Sequence, residues 1–273
     1  FTSDPLAVRR NWARAIQLGE AIEPHLRAAT HAPLYLDFSD VMVEAYSMMG
    51  RHVEALDIAQ RKQRVVELME ASPHALSLRA CREKFEEDKV NARRMQIVAM
   101  NELGLYREAY KLSLEIEADP FYARNASYWA PLLVWDRLKA MERLPRAGMR
   151  EARRMVHAAW HGCDRRTDEW QPLCHMLLGR AYANFCISRG NLKEARATLS
   201  RYAPTLDQIP HCGVLHKTLF LRTWARMLRA QGEWDEWRAT VGEALTLAQQ
   251  AGLANEVAAI RREHGDALAP EAG

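Results

Sequence analysis

The chain has 273 residues, 48 % of them apolar, enough for one extended body or two small domains. Its formal net charge of +3 is too small to argue for direct contact with nucleic acid, although 31 arginines stand against seven lysines. No apolar run approaches the ~20 residues that span a bilayer, and the five scattered cysteines (Cys81, Cys163, Cys174, Cys186, Cys212) fit reduced thiols in a cytoplasmic protein better than a disulfide framework.

Strand-like alternation is absent, and Gly and Pro cluster at joints, so almost the whole chain reads as helix. Residues 6–28 read as one helix, either the second helix of an upstream repeat or a cap. The chain starts at Phe1 and not at Met, which suggests a piece of a larger protein with its remainder upstream. Ser72 and Pro73 mark a helix start, with Ser as N-cap and Pro at the first helical position, and that helix is expected to run to Leu103. Further on, one helix is expected over about Met176–Ser188 and the next over Leu192–Tyr202. Gly190 sits between them, where a positive φ costs a glycine nothing. Pro204 and Pro210 punctuate the link that follows, residues 253–264 read as a capping helix, and Ala267–Gly273 as a frayed tail.

A short frame recurs along this helical chain. It reads GRHVEA at Gly50–Ala55, GLYREA at Gly104–Ala109, AGMREA at Ala147–Ala152 and GNLKEA at Gly190–Ala195; GEWDEW at Gly232–Trp237 keeps the frame with Trp in place of Ala. The closing residues are 54, 43, 43 and 42 positions apart, and a near-constant period of this size is the mark of stacked repeats. The long first interval exceeds the next by 11 residues, about three turns at 3.6 residues per turn, so the faces of the helices stay in phase. Each unit then has one grammar: a first helix, a tight turn, and a second helix that begins near the Glu-Ala pair. The alanine is expected where the two helices cross closely, and Trp237 predicts a looser crossing in the last unit.

This pattern resembles the tetratricopeptide repeat, through Gly104, Tyr106, Ala109 and Pro120 in the clearest unit and Tyr46, Gly50 and Ala55 in another. The units are longer than the usual repeat of that family. They are similar to those of kinesin light chains and of the sensor domains of bacterial MalT-like regulators and STAND ATPases, and the run GEWDEWRATVGEALTLAQQAGL is particularly similar to the latter. The resemblance implies an all-α fold, a solenoid or superhelix of about five tetratricopeptide-like helix-turn-helix units. It implies an N-terminal helix over 1–33, the superhelix over 34–252, and a C-terminal capping helix and tail over 253–273.

Fifteen residues before the closing Ala or Trp stand Arg94, Arg137, Arg180 and Arg222, while the first unit has Asp40 there. By the resemblance this place lies on the concave wall of the superhelix. Asn184 and Arg226 follow one turn later, with Asn101 and Arg229 about a further turn on. Guanidiniums with amides beside them suit carboxylate or phosphate, because arginine forms planar bidentate pairs. The expected ligand-binding groove is therefore Arg94, Asn101, Arg137, Arg180, Asn184, Arg222 and Arg226. The same arginines also read as structural, each paired with a carboxylate on a neighbouring helix, with coincidence in an arginine-rich chain the remaining alternative. Asp37, Asp40 and Glu44 give the first unit the opposite sign, so the groove is either bipolar or docks an upstream domain at its acidic end.

Other constellations carry less. Tyr122, Tyr128, Trp129, Trp135, Trp160 and Trp170 cluster in the middle unit and read as core, or as an aromatic pocket. His157 and His161 are four apart with Cys163 beyond, and Cys174-His175 and His211-Cys212 follow, but the paired short cysteine spacings of structural zinc and the zincin glutamate are missing. The basic helix Met149–Arg166 reads as a solvated face, with contact to phosphates the alternative. With no phosphate loop, no GxGxxG and no GxSxG elbow, the reading is a non-enzyme without cofactor or metal. The expected role is a sensor or scaffold in a larger cytoplasmic, bacterial signalling or transcription regulator. It binds a protein, an acidic peptide or a small anionic ligand in its groove, and contacts an upstream domain of its own chain. The alternatives are an accessory domain of a multidomain enzyme, such as a STAND ATPase or a protease with catalysis elsewhere, and a constitutive scaffold with no ligand.

Overall fold

The computed structural model describes residues 5–26, 32–71, 79–145, 147–165, 171–209 and 213–265. Among them are thirteen α-helices and no strand, so the chain is all-α. It divides into two compact units, Val8–Trp129 and Ala130–Gly273, the latter taken with Phe1–Ala7.

The first unit is built from α1 (Pro5–Ile22), a 3₁₀ turn (Glu23–His25), α2 (Ala32–Met48), α3 (His52–Glu70), α4 (Arg79–Glu102), α5 (Tyr106–Glu117) and α6 (Pro120–Arg124). The helix expected over 6–28 stops at Ile22, because Pro24 cannot continue it and turns the chain into the 3₁₀ geometry. The Ser72–Pro73 helix start lies outside the described residues. From Arg79 onward α4 is 24 residues long, against 17 in α2. Asp119 caps α6 by accepting from the Phe121 amide at 2.9 Å, and Pro120 takes the first position, where its missing N–H costs nothing.

One stripe of α3 organises this unit. Ala55, Ile58, Ala59, Val65 and Val66 recur at helical spacing and are buried. Ala55, Ile58 and Ala59 pack with Met42, Val43 and Tyr46 of α2 and Ala99 of α4. Lys62 occupies the same stripe and is 0 % exposed. Its Nζ donates to Asp40 Oδ1 of α2 at 2.6 Å and to Asp88 Oδ1 of α4 at 3.0 Å, and Asn91 Nδ2 donates to Asp40 as well, at 3.0 Å. A buried ammonium survives because carboxylates meet it from both neighbouring helices.

The second unit holds most of α7 (Ala126–Arg143), then α8 (Met149–Asp164), α9 (Gln171–Ser188), α10 (Leu192–Tyr202), a 3₁₀ turn (Ala203–Gln208), α11 (Gly213–Gln231), α12 (Trp234–Gln250) and α13 (Ala254–His264). α9 begins earlier than the expected Met176, since Pro172 fits the first turn of a helix; α10 has the expected bounds. The helix expected over 253–264 is α13, while Pro210 and Ala267–Gly273 lie outside the described residues.

The repeated frame has a common backbone. Gly50, Gly104, Gly190 and Gly232 have φ of 74°, 79°, 71° and 77°, the left-handed conformation that ends a helix. After Gly190 the Asn191 amide reaches back to the Cys186 carbonyl at 2.9 Å, and after Gly50 the Arg51 amide reaches Tyr46 at 2.8 Å. Gly252 makes the same turn before α13, a joint the repeat frame does not single out. The third segment has Ala147 at the glycine's place; Gly148 after it, with φ −90° and ψ 142°, is the N-cap of α8, as Arg51, Leu105, Asn191 and Glu233 are the N-caps of α3, α5, α10 and α12. Ala55, Ala109, Ala152 and Ala195 are all 0 % exposed, and Trp237 is 3 % exposed. In α9, Gly179 lies against α10 so closely that a Cβ there would stand 2.4 Å from Tyr202 Cδ2.

Candidate anion-binding site

Four of the seven expected groove residues come together in the second unit, on α9 and α11. Arg180 and Asn184 are one turn apart on α9, and Arg222 and Arg226 one turn apart on α11. Asn184 ties the two helices: its Nδ2 donates to Thr223 Oγ1 at 3.3 Å, and its Oδ1 accepts from Arg226 Nη1 at 2.6 Å. That bond brings the preceding turns, with Arg180 and Arg222, into the same neighbourhood.

Carboxylates from other helices occupy two of the three arginines. Arg222 holds Glu263 of α13 with a two-pronged grip, Nε at 2.8 Å and Nη2 at 2.6 Å, and its Nη1 reaches Glu256 at 2.7 Å. Burial works against its charge, but Glu263 and Glu256 overcome that, and its pKa lies above the ordinary arginine value. Glu263 is likewise held below the usual carboxylate range, Arg222 outweighing its own burial. Arg226 Nη2 donates to Glu142 of α7 at 2.8 Å.

Arg180 is different. It is partly exposed, yet its Nε is shut away from solvent, and among the described residues it has neither a hydrogen bond nor an ion pair. Burial, and then the Arg222 charge, pull its pKa down to about 10, with Glu256 and Glu142 opposing. His216 on α11 is its neighbour in charge: burial and the Arg180 guanidinium push the imidazole down to about 4. Among the described residues His216 Nδ1 is also buried without a hydrogen-bond partner.

The remaining expected residues lie elsewhere. Arg137, also in the second unit, is 1 % exposed, with Nη1 3.8 Å from Met155 Sδ, and is inside the unit and not on an open wall. Arg94 and Asn101 belong to the first unit and are 9 % and 5 % exposed. Asp40, at the acidic end, is bonded to Lys62; burial still raises its pKa above the carboxylate norm, with Lys62 opposing. The Lys62 cluster was legible as a lone lysine inside an apolar stripe, a signal the search for surface charge passes over.

Tyr122 and Trp129 are buried, and Tyr128 meets Trp129 edge-on at 5.1 Å. Trp160 packs between Tyr182 and Tyr202 at 5.9 and 5.7 Å, while Trp170, His211 and Cys212 lie outside the described residues. His157 and His161 are exposed and meet edge to face at 4.7 Å. Among the described residues no three His, Cys, Asp or Glu side chains gather as metal ligands. Cys163, Cys174 and Cys186 are buried, and burial, then Glu194, pushes the Cys186 thiol up to about 12, leaving it protonated at neutral pH. No described helix is long and apolar enough to cross a membrane. Set against protein-family models, curated proteins and solved structures, the chain matches none.

Proposed function

We propose that this chain is a binding module, the sensor or scaffold part of a larger cytoplasmic regulator, built as a solenoid of tetratricopeptide-like hairpins. The observation that carries the reading is the repeated joint: four glycines at the same place in the frame take the same left-handed turn, and the alanine five residues on is buried each time it follows such a glycine. The packing pattern supports it. α2 packs on α3 and α4, α9 on α10 and α11, α11 on α12 and α13, so helices meet chain neighbours or the next helix but one. That near-one-dimensional arrangement is the habit of repeat proteins, which use extended surfaces to bind. The ligand in this reading is an acidic segment of a partner protein, lying along the face of α9 and α11 that carries Arg180, Asn184, Arg222 and Arg226.

The test is fluorescence anisotropy of the full chain against labelled Asp/Glu-rich peptides. Saturable binding that weakens with added salt is expected, since exposed charges are screened over about 8–10 Å at physiological ionic strength. A folded, helical chain that binds none of the peptides at low salt would refute the reading.

A further inference from the structure

The three arginines of the α9–α11 cluster are matched in number by Glu142, Glu256 and Glu263, but not in bonding. Arg222 takes both Glu256 and Glu263, and Arg226 takes Glu142. Every carboxylate of the cluster is thus committed, and Arg180 is left with an Nε–H that no described residue accepts. A buried N–H without an acceptor costs about 1–3 kcal/mol, more when the group is charged. His216, on the helix packed against α9 and within reach of the Arg180 charge, keeps a second buried nitrogen unsatisfied among the described residues, and a site with two such nitrogens is prepared for an acceptor from outside.

We propose that Arg180 and His216 form a site for a single carboxylate, the Arg180 Nε–H and the His216 imidazole N–H donating to its oxygens. Arg222 and Arg226 do not bind the ligand directly here. Held by their glutamates and by Asn184, they fix the helices that present the two donors.

Local charge selects the chemical class. Three guanidiniums against three carboxylates leave the cluster neutral when His216 is uncharged, as its lowered pKa keeps it at pH 7. One negative charge from a carboxylate is the most this balance accepts. A phosphate dianion would place two charges beside Glu142 and Glu256, which already act on Arg180, and like charges in a shared site repel. The carboxylate has two sources, a free small acid or an Asp or Glu side chain of a partner segment. The inference rests on the binding-module reading for the second source alone.

The experiment is NMR on the ¹⁵N-labelled full chain, following the Arg180 Nε–H resonance during titration with acetate, with inorganic phosphate and with an unlabelled Glu-rich peptide. Acetate is expected to move that resonance saturably, and phosphate more weakly. Arg180→Gln should weaken acetate binding at least tenfold without lowering the melting temperature, since the arginine makes no bond within the described residues and its removal relieves a buried, unsatisfied donor. His216→Phe should weaken it by about tenfold, the loss of one hydrogen bond to a charged group being worth roughly 1.4 kcal/mol or more. Arg180→Lys keeps the charge and removes the Nε–H, so it should weaken binding as well. Full affinity in Arg180→Lys would mean a diffuse field and overturn the site, as would an Nε–H resonance that neither acetate nor peptide moves. Tighter binding of the peptide than of acetate, lost in Arg180→Gln, assigns the site to a partner segment. Acetate binding without peptide binding assigns it to a free acid, and then the site stands while the peptide-binding reading falls. Peptide binding indifferent to Arg180→Gln overturns the site and leaves the module reading intact.

Discussion

Gly179→Ala sets two effects of similar size against each other, and the structure decides between them. A glycine inside a helix is worse than alanine by about 1 kcal/mol, so the exchange alone favours the variant. Against that, the new Cβ would lie 2.4 Å from Tyr202 Cδ2, 2.9 Å from Cε2 and 3.1 Å from Cγ. Carbon atoms rest at about 3.5–4.0 Å, so ring or helix must move by more than ~1 Å. The Tyr202 ring has little room to yield, with Trp160 on one side at 5.7 Å and His175 stacked at 5.7 Å on another. Overpacking of this kind costs about 1–3 kcal/mol, and the rigid obstacle puts this case at the upper end. Subtracting the propensity gain leaves a net loss of about 2 kcal/mol. For a unit of this size that lowers the melting temperature by about 4–8 °C, measurable by circular dichroism. The partner in the clash is testable too: in a Tyr202→Leu background the same Gly179→Ala should cost much less, a coupling on the order of 1–2 kcal/mol in a double-mutant cycle. A Gly179→Ala protein that melts at or above the wild type, or a cycle with no coupling, would refute the reasoning.

The glycines at the joints offer a comparison. A Cβ at Gly190 or Gly148 meets nothing within 4 Å, but Gly190 has φ 71° while Gly148 has φ −90°. Gly190→Ala should therefore cost about 1–2 kcal/mol from backbone conformation alone, and Gly148→Ala should stay within about 0.5 kcal/mol of wild type by urea denaturation. Lys62→Met leaves Asp40 with the Asn91 amide and Asp88 with the more exposed Lys84 at 3.3 Å, and removing the buried partner of an ion pair costs about 3–5 kcal/mol, here towards the lower end, at pH 7. Asp40 already has a raised folded pKa, so its ionised form weighs against folding at neutral pH and its protonated form does not. Without Lys62 that rise grows, and the penalty should shrink as pH falls from 7 towards 5; an equal penalty at both pH values would contradict the assignment.

The hairpin joints were legible because they depend on single residues with one strong preference. Glycine is the residue for a left-handed helix end, and Gly190, Gly50, Gly104 and Gly232 sit where that geometry is needed. The alanines were legible for a related reason, a small side chain on a fixed period where helices meet. The third segment shows the boundary of such reading: the helix before it ends at Arg143, Ala147 stands at the glycine's place, and Gly148 takes the N-cap place that Arg51, Leu105, Asn191 and Glu233 take in the other units. The arginine cluster was half legible. Its period put four arginines on a common register, but which of them keep a free donor depends on Glu256 and Glu263 of α13 and on Glu142, the last 84 positions from Arg226. Pairings over such distances leave no periodic mark in a single sequence. His216 was missed for the same reason: nothing local distinguishes a histidine whose nitrogen is buried beside a guanidinium from one in water.

A chain made of look-alike hairpins faces a problem of mistaken identity. The apolar seams of its helices are written in the same few letters, so a helix that slides by one turn, or meets the wrong hairpin while folding, still finds alanine and valine to lie against. Lys62 removes that tolerance from α3. A slip of one turn carries Nζ about 5.4 Å along the axis, away from both Asp40 and Asp88, and strands a charge in the interior. Pairing with a helix that lacks an aspartate at the right height does the same. The lysine thus works as a password shared by α2, α3 and α4, one that a uniformly apolar seam could not carry.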